Sequence, residues 1–148
     1  MKKKHVIIFS IALIAVLIDQ ITKFLINSNF QLNESLPVIK NIFYLTYIHN
    51  FGAGFGILQQ QKFILIFASI IVIGAIFYYL GKIGNKDLLL QILVGLILGG
   101  TIGNLIDRAS YGFVIDFLDF RIWPIFNFAD SFVTAGVIGL VLYLWKKP

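Results

Sequence analysis

A bundle of four transmembrane helices carrying a small extracellular β-sheet and loop region, a membrane all-α fold, is what this sequence predicts, and three observations predict it. Of its 148 residues 59% are hydrophobic and only 13% are charged, whereas soluble domains carry roughly 25% charged residues. The mean hydropathy is +0.91. Four apolar runs approach the about 20 residues that a helix needs to cross a bilayer. So little charge cannot cover a water-facing surface, which excludes a separate soluble domain and leaves 1–148 as a single membrane domain.

The first run, about His5 to Ile26, follows Lys2, Lys3 and Lys4 and begins like a signal peptide. Ile18-Asp19-Gln20 offers no small-residue cleavage site, so the run is read as a span. In the loop that follows, from Asn27 to Lys62, the segment Ile42 to Ile48 is rich in β-branched and aromatic residues, which suits short strands. Phe63 to Leu80 and Leu88 to Ile106 are the next two spans. Between Asp107 and Ile125 lies a second long loop, where Val114 to Phe120 reads as another strand, and Phe126 to Trp145 is the last span. The strand segments predict a small sheet resting on the membrane, anchored at the interface by Phe and Tyr.

Charge sets the orientation. Lys2, Lys3, Lys4, Lys82, Lys86, Lys146 and Lys147 crowd into short segments on one side, while Lys40, Lys62, Arg108 and Arg121 are diluted over the two long loops. Basic residues concentrate on the cytoplasmic side, so both termini and the Gly81 to Asp87 turn are placed inside and the long loops outside. The same distribution reads the net charge of +5 as a topology signal rather than a nucleic-acid patch. With no cysteine, disulfides, thiolate zinc sites and iron–sulfur clusters are excluded, and with His5 and His49 alone no His-rich metal site is expected.

Charged side chains at bilayer depth cost about 2.5 to 3.5 kcal/mol each on insertion scales, so each one there needs a reason. Asp19 and Lys23 are spaced i, i+4 on the first span and read as a buried structural ion pair. Gly95, Gly99 and Gly103 form a stripe that permits close helix approach. It runs into Asn104, Asp107 and Arg108 on one face, with Asp107 and Arg108 readable as a second structural pair. In a strand Asp116 and Asp119 point to opposite faces. Asp119 shares its face with Arg121 and is expected to be a solvated salt-bridge partner, which leaves Asp116 as the better functional carboxylate. Asp130 lies about one turn inside the outer boundary of the last span. A helix dipole there helps an anion by about 0.3 to 1 kcal/mol, which does not offset burial. An intramembrane functional site is therefore favoured over a mere N-cap role for Asp130.

Five motifs in order then resemble one family. Asp19-Gln20-Ile21-Thr22-Lys23, Asn50-Phe51-Gly52-Ala53-Gly54-Phe55-Gly56, Gly103-Asn104-Leu105-Ile106-Asp107-Arg108, Val114-Ile115-Asp116-Phe117 and Phe126-Asn127-Phe128-Ala129-Asp130 are similar to the motifs of lipoprotein signal peptidase (signal peptidase II), the bacterial membrane aspartyl peptidase. The resemblance implies a catalytic dyad of Asp116 and Asp130. It implies Asn50, Gly52, Asn104 and Arg108 as substrate-binding residues and Asp19, Lys23, Asp107 and Asn127 as supporting ones. One departure is Gly54, where the family usually has Ala or Ser. The implied substrate is a diacylglyceryl-modified prolipoprotein, cut on the amino side of the lipidated Cys by an enzyme of the bacterial cell membrane with its site at the outer face. Two carboxylates sharing a proton can activate water and protonate a carbonyl, so no metal or other cofactor is called for. Expected partners are the substrate and membrane lipids, with no nucleic acid, and the chain is expected to be a monomer. The rival readings are a small proton-coupled transporter, which would want its acid near the midplane and short loops, and a non-catalytic assembly subunit, which leaves the five polar motifs unexplained.

Overall fold

The computed structural model describes residues 3–54 and 57–146; Lys2 and Lys147 of the topology count, and Phe55 and Gly56 of the glycine-rich motif, lie outside the described residues. The elements run α1 (Lys3–Asn29), β1 (Ser35–Ile39), β2 (Phe43–Asn50), α2 (Lys62–Tyr79), α3 (Leu88–Ser110), β3 (Val114–Asp119) and α4 (Phe128–Trp145), with a 3-10 turn at Leu80–Lys82. All four helices, which match the four expected spans to within a few residues, are long and apolar enough to cross a membrane. In α3 61% of the most apolar stretch is buried, against 22% in α1 and 11% in α2 and α4, so α3 is the central helix.

Small residues put it there. The Gly95, Gly99, Gly103 stripe faces α1: a Cβ at Gly99 would lie 2.6 Å from the Ala12 carbonyl and 2.7 Å from the Ala15 Cβ. Contact this close replaces the hydrophobic drive that lipid does not supply between helices. A second small-residue seam, not singled out in the sequence, joins α3 to α4. A Cβ at Gly136 would stand 2.6 Å from Ile97 Cγ1, and one at Gly100 would strike the Ala129 carbonyl.

The sheet has the order β1-β2-β3, antiparallel throughout. The strands expected at Ile42 to Ile48 and Val114 to Phe120 form. β1 has no counterpart among the expected strands; it contains Pro37 and sits on the edge, where a missing N–H is tolerated. Between Leu45 and Ile48 the register slips by one residue, a bulge that turns both Thr46 and Tyr47 inward. Thr46 there donates to Asp119 at 2.7 Å, and the Arg121 N–H donates to the same carboxylate at 2.8 Å. Asp119 is therefore 4% exposed rather than solvated, although its pairing with Arg121 at 3.5 Å does form. The sheet, not water, receives it.

At the end of the bundle that holds both termini, the Lys4 ammonium donates to the carbonyls of Gly81 and Ile83 at 3.1 and 2.6 Å, and Asp87 caps α3 through the Leu90 N–H. At the other end a second lysine is the organising charge. Lys23, 2% exposed, donates to Asp19 at 2.8 Å, Asp107 at 2.9 Å and Asn104 at 3.1 Å. The expected Asp19–Lys23 pair is thus one of two ion pairs in a triad. No ion pair joins Asp107 to Arg108, because successive helix residues do not face each other; Asp107 turns to Lys23 instead.

Removing one member of a buried ion cluster leaves the remaining charge uncompensated, at a cost of about 3 to 5 kcal/mol. Lys23→Met, which keeps the stem and deletes the charge between two carboxylates, should lower the unfolding free energy in detergent by that order. A Lys23→Met protein as resistant to heat and denaturant as the parent would show that the triad does not hold the helices.

Candidate active site

Two carboxyl groups meet at the end of the bundle nearest the sheet. Asp116 projects from β3 opposite Ile48 and is 0% exposed. Asp130 stands in the first turn of α4, half-buried, and lines a cavity of about 590 Å³ together with Asn50, Asn104, Arg108 and Phe126. The strand parity that separated Asp116 from Asp119 in the sequence holds, since only Asp116 is turned to this site.

Asn127 joins the two acids. Its side-chain amide donates to Asp116 Oδ1 at 2.7 Å and to Asn104 Oδ1 at 3.1 Å, while its Oδ1 accepts the Asp130 N–H at 2.8 Å. Asn127 is also the N-cap of α4, and Asp130 completes a capping box by accepting the Asn127 N–H at 3.4 Å. The N-cap reading considered for Asp130 is corrected accordingly: the cap is Asn127, and Asp130 is the third residue of the helix. Its other oxygen accepts from Asn104 Nδ2 at 2.7 Å.

Asn50, at the end of β2, donates to Asp116 Oδ2 at 2.8 Å and accepts the Gly52 N–H at 2.9 Å. The Gly52 carbonyl in turn accepts from Arg108 Nη2 at 3.1 Å. Gly52 is needed for close approach, since a Cβ there would lie 2.8 Å from the Ile57 carbonyl. Among the described residues a Cβ at Gly54 would meet nothing within 4 Å.

Beneath the site, Asp19 accepts the Ala129 N–H at 2.9 Å and Asp107 accepts the Ile115 N–H at 3.1 Å. The Lys23 triad thereby grips the residue just before each candidate acid. Asp19, Lys23, Asp107 and Asn127 form hydrogen bonds beneath and between the two acids, while Asn50, Asn104 and Arg108 line the cavity and Gly52 is bonded to Arg108. Gln20 was missed: its amide nitrogen reaches Asp19 Oδ2 at 3.1 Å, the Gly103 carbonyl at 3.2 Å and Asp107 Oδ1 at 2.9 Å. An amide beside Asp19 within a span was the available signal. Trp123, Pro124 and Ile125, which also line the cavity, carry no such mark in the sequence.

Burial and the neighbouring Asp130 charge push the Asp116 carboxyl up to about 8, against the opposing pull of Asn50, Lys23 and Asn127. It therefore keeps its proton well above the pH at which an ordinary carboxyl loses one. A protonated acid beside a carboxylate that reaches the cavity is equipped to give a proton to one atom of a bound group and take one from water on the other side.

Comparison with known proteins agrees with this chemistry. The model of the family described as signal peptidase (SPase) II matches residues 11–146. A lipoprotein signal peptidase of Halothermothrix orenii is 44% identical over 140 residues, covering 95% of this chain and 96% of the relative. That of Streptococcus thermophilus is 43% identical over 149 residues, covering 99% and 96%. Two structures described as bacterial membrane enzymes solved by the in meso method, at 2.3 and 1.9 Å resolution, share the fold with TM-scores of 0.89 and 0.86 at 36% and 35% identity. They cover 94% and 95% of this chain, which spans 87% and 94% of theirs. A fold shared at this level and a family match from the first span to the last leave no part of the site outside the likeness: the chain belongs to the signal peptidase II family of membrane aspartyl peptidases.

Proposed function

We propose that this enzyme removes the signal peptide from diacylglyceryl-modified prolipoproteins, cutting on the amino side of the lipidated Cys, with Asp116 and Asp130 as its catalytic dyad. The observation that carries the reading is the Asn127 bridge, which holds one fully buried and one cavity-facing carboxyl in fixed relation. Asp130 takes a proton from water as the water oxygen bonds to the scissile carbonyl carbon, and Asp116 gives its proton to the carbonyl oxygen. When the C–N bond breaks, the leaving amine of the lipidated Cys takes the proton that Asp130 collected, and one hydroxyl of the intermediate returns its proton to Asp116 as the carboxylic acid forms. Asn50 and Arg108, already aimed along the cavity edge, hold the substrate backbone, with Asn104 fixing Asp130 beside it. A transporter finds no support among the relatives, which are peptidases.

The rest of the reading concerns place. The enzyme sits in the bacterial cell membrane with both termini cytoplasmic and its site at the outer face, as the concentration of lysines near the termini and the Gly81 to Asp87 turn supports. The enzyme is proposed as a monomer whose partners are the precursor and the surrounding lipid rather than nucleic acid.

Asn in place of either dyad acid keeps the size but cannot exchange the proton. Asp116→Asn and Asp130→Asn should each lose about 10²- to 10⁴-fold in cleavage of a lipidated precursor, and the double variant should be scarcely slower than either. Asp119→Asn should lose stability and keep most of its turnover, because Asp119 serves the sheet. Near-normal turnover by Asp116→Asn would move the dyad elsewhere.

The raised Asp116 carboxyl makes a separate prediction with its sign determined. Between its ordinary value near 3.8 and about 8 the folded protein holds a proton that the unfolded chain has lost, so stability declines as pH rises through that window. Activity should fall with an alkaline limb near pH 8 as the acid ionises. Asp116→Asn should remove that part of the stability decline; an identical decline in the variant would assign it to other groups.

Orientation is open to labelling in this Cys-free chain. An impermeant thiol reagent added outside intact cells should modify Lys40→Cys and spare Asn85→Cys. The reverse pattern would invert the enzyme and put its site in the cytoplasm.

A further inference from the structure

The cavity does not end at the dyad but continues along the spans, away from the sheet. Thr134 follows Asp130 by four residues, so it occupies the same face of α4 about 6 Å farther in. Thr101 precedes Asn104 by three on α3, and Ser69 lies seven residues into α2 from its outer end. All three line the cavity, set among apolar wall residues such as Ala68, Val72 and Val133. They come from three different helices and lie about 9 to 14 Å from the helix ends nearest the sheet.

Their hydrogen-bonding states differ. Thr101 Oγ1 donates to the Ile97 carbonyl at 2.7 Å and Ser69 Oγ to the Leu65 carbonyl at 3.0 Å, which commits their protons and leaves oxygen lone pairs for an incoming N–H. Thr134 has no hydrogen-bond partner among the described residues, so its O–H is available to a carbonyl. One wall of the cavity thus presents a donor and two acceptors, the complement of an unpaired peptide backbone.

Such a backbone is what the reaction requires. A signal peptide that crosses the membrane as a helix keeps each carbonyl in its own hydrogen-bond ladder, and water cannot attack a bond held that way. Unwinding the residues before the cleaved bond frees N–H and C=O groups at a depth where each unsatisfied one costs several kcal/mol in hydrocarbon. We propose that Thr134, with Thr101 and Ser69, holds the unwound backbone of the substrate on the signal-peptide side of the cleaved bond. The inference rests on the peptidase reading above and deepens it by assigning the membrane-side subsite.

The test uses the purified enzyme in detergent with a diacylglyceryl-modified precursor peptide, comparing the parent with Thr134→Val and Thr134→Ser. Thr134→Val should lower kcat/KM about five- to tenfold, the size of one hydrogen bond, with an unchanged thermal midpoint, and Thr134→Ser should stay near the parent. Precursors in which each of the three amides before the lipidated Cys is replaced in turn by an ester, a weaker acceptor, supply the readout that a structural role would not move. At one position the ester should slow the parent and Thr134→Ser yet leave Thr134→Val unaffected. Parent-like kcat/KM in Thr134→Val, equal losses in Val and Ser, or ester penalties that are the same in all three enzymes would each overturn the subsite while leaving the peptidase reading intact. A parent enzyme that leaves the precursor uncut would instead bring down the peptidase reading and the subsite with it.

Discussion

One ammonium group held between two carboxylates underlies the site end of this molecule. Lys23 reaches Asp19 on its own helix and Asp107 on α3, all three nearly free of solvent contact. Buried ion clusters are weak evidence for net stability, because desolvation cancels much of the attraction. What they do well is fix geometry, since a carboxylate with a lone pair unanswered in this environment is expensive. Each carboxylate here answers its remaining lone pairs outside the triad: Asp19 takes the Ala129 N–H of α4 and Asp107 takes the Ile115 N–H of β3. Those are the residues that immediately precede Asp130 and Asp116. The triad carries two negative charges against one positive. The excess is met by the Gln20 amide and by backbone N–H groups, that of Ala129 lying in the positive first turn of α4.

That arrangement depends in turn on backbone approach. Asp19 lies where a Cβ on Gly103 would be 2.5 Å from its Oδ2, so a side chain on α3 would occupy the space of the carboxylate itself. The same stripe, continued by Gly99 and Gly95, seats α3 on Ala12, Ala15 and Ile11 of α1. Packing and polarity are therefore one design at different depths: small residues bring two helices into contact along the apolar part, and the closeness they create lets three charges share hydrogen bonds at the end. Were the helices a side chain's width farther apart, each charge would face hydrocarbon alone.

What could be read from the sequence follows from which forces are local. The four spans were legible because length and hydropathy are summed along the chain, and the α1–α3 stripe because its spacing of four is visible in one helix. Asp116 and Asp130 stood out by strand parity and by the cost of an acid at that depth. Less was legible where the partner is distant in sequence. Arg108 meets the Gly52 carbonyl 56 residues away, so nothing near Arg108 foretells that contact. Asp119 reads as a surface group in the sequence because its cover, Thr46, comes from a bulge in a different strand. β1 has no counterpart among the expected strands, and only its edge position, known once the sheet is formed, makes Pro37 acceptable there.

Asn127 shows why the start of α4 is where the candidate chemistry collects. A helix entering a membrane must satisfy its first N–H groups internally, because lipid offers no acceptor. Asn127 and Asp130 do this as a capping box, a purely local arrangement that would serve at the head of any helix. The capping requirement leaves over the Asn127 Nδ2 hydrogens and one Asp130 oxygen. Those surplus groups make the long-range contacts, to Asp116, to Asn104 and through Asn104 back toward Lys23. The acid that faces the cavity is thus positioned by helix initiation itself, whose geometry is set by the backbone. Relative placement of the two carboxyls then needs only one further constraint, the seating of β3 against α3 through Asp107. A site assembled this way borrows its rigidity from structure that the membrane already enforces.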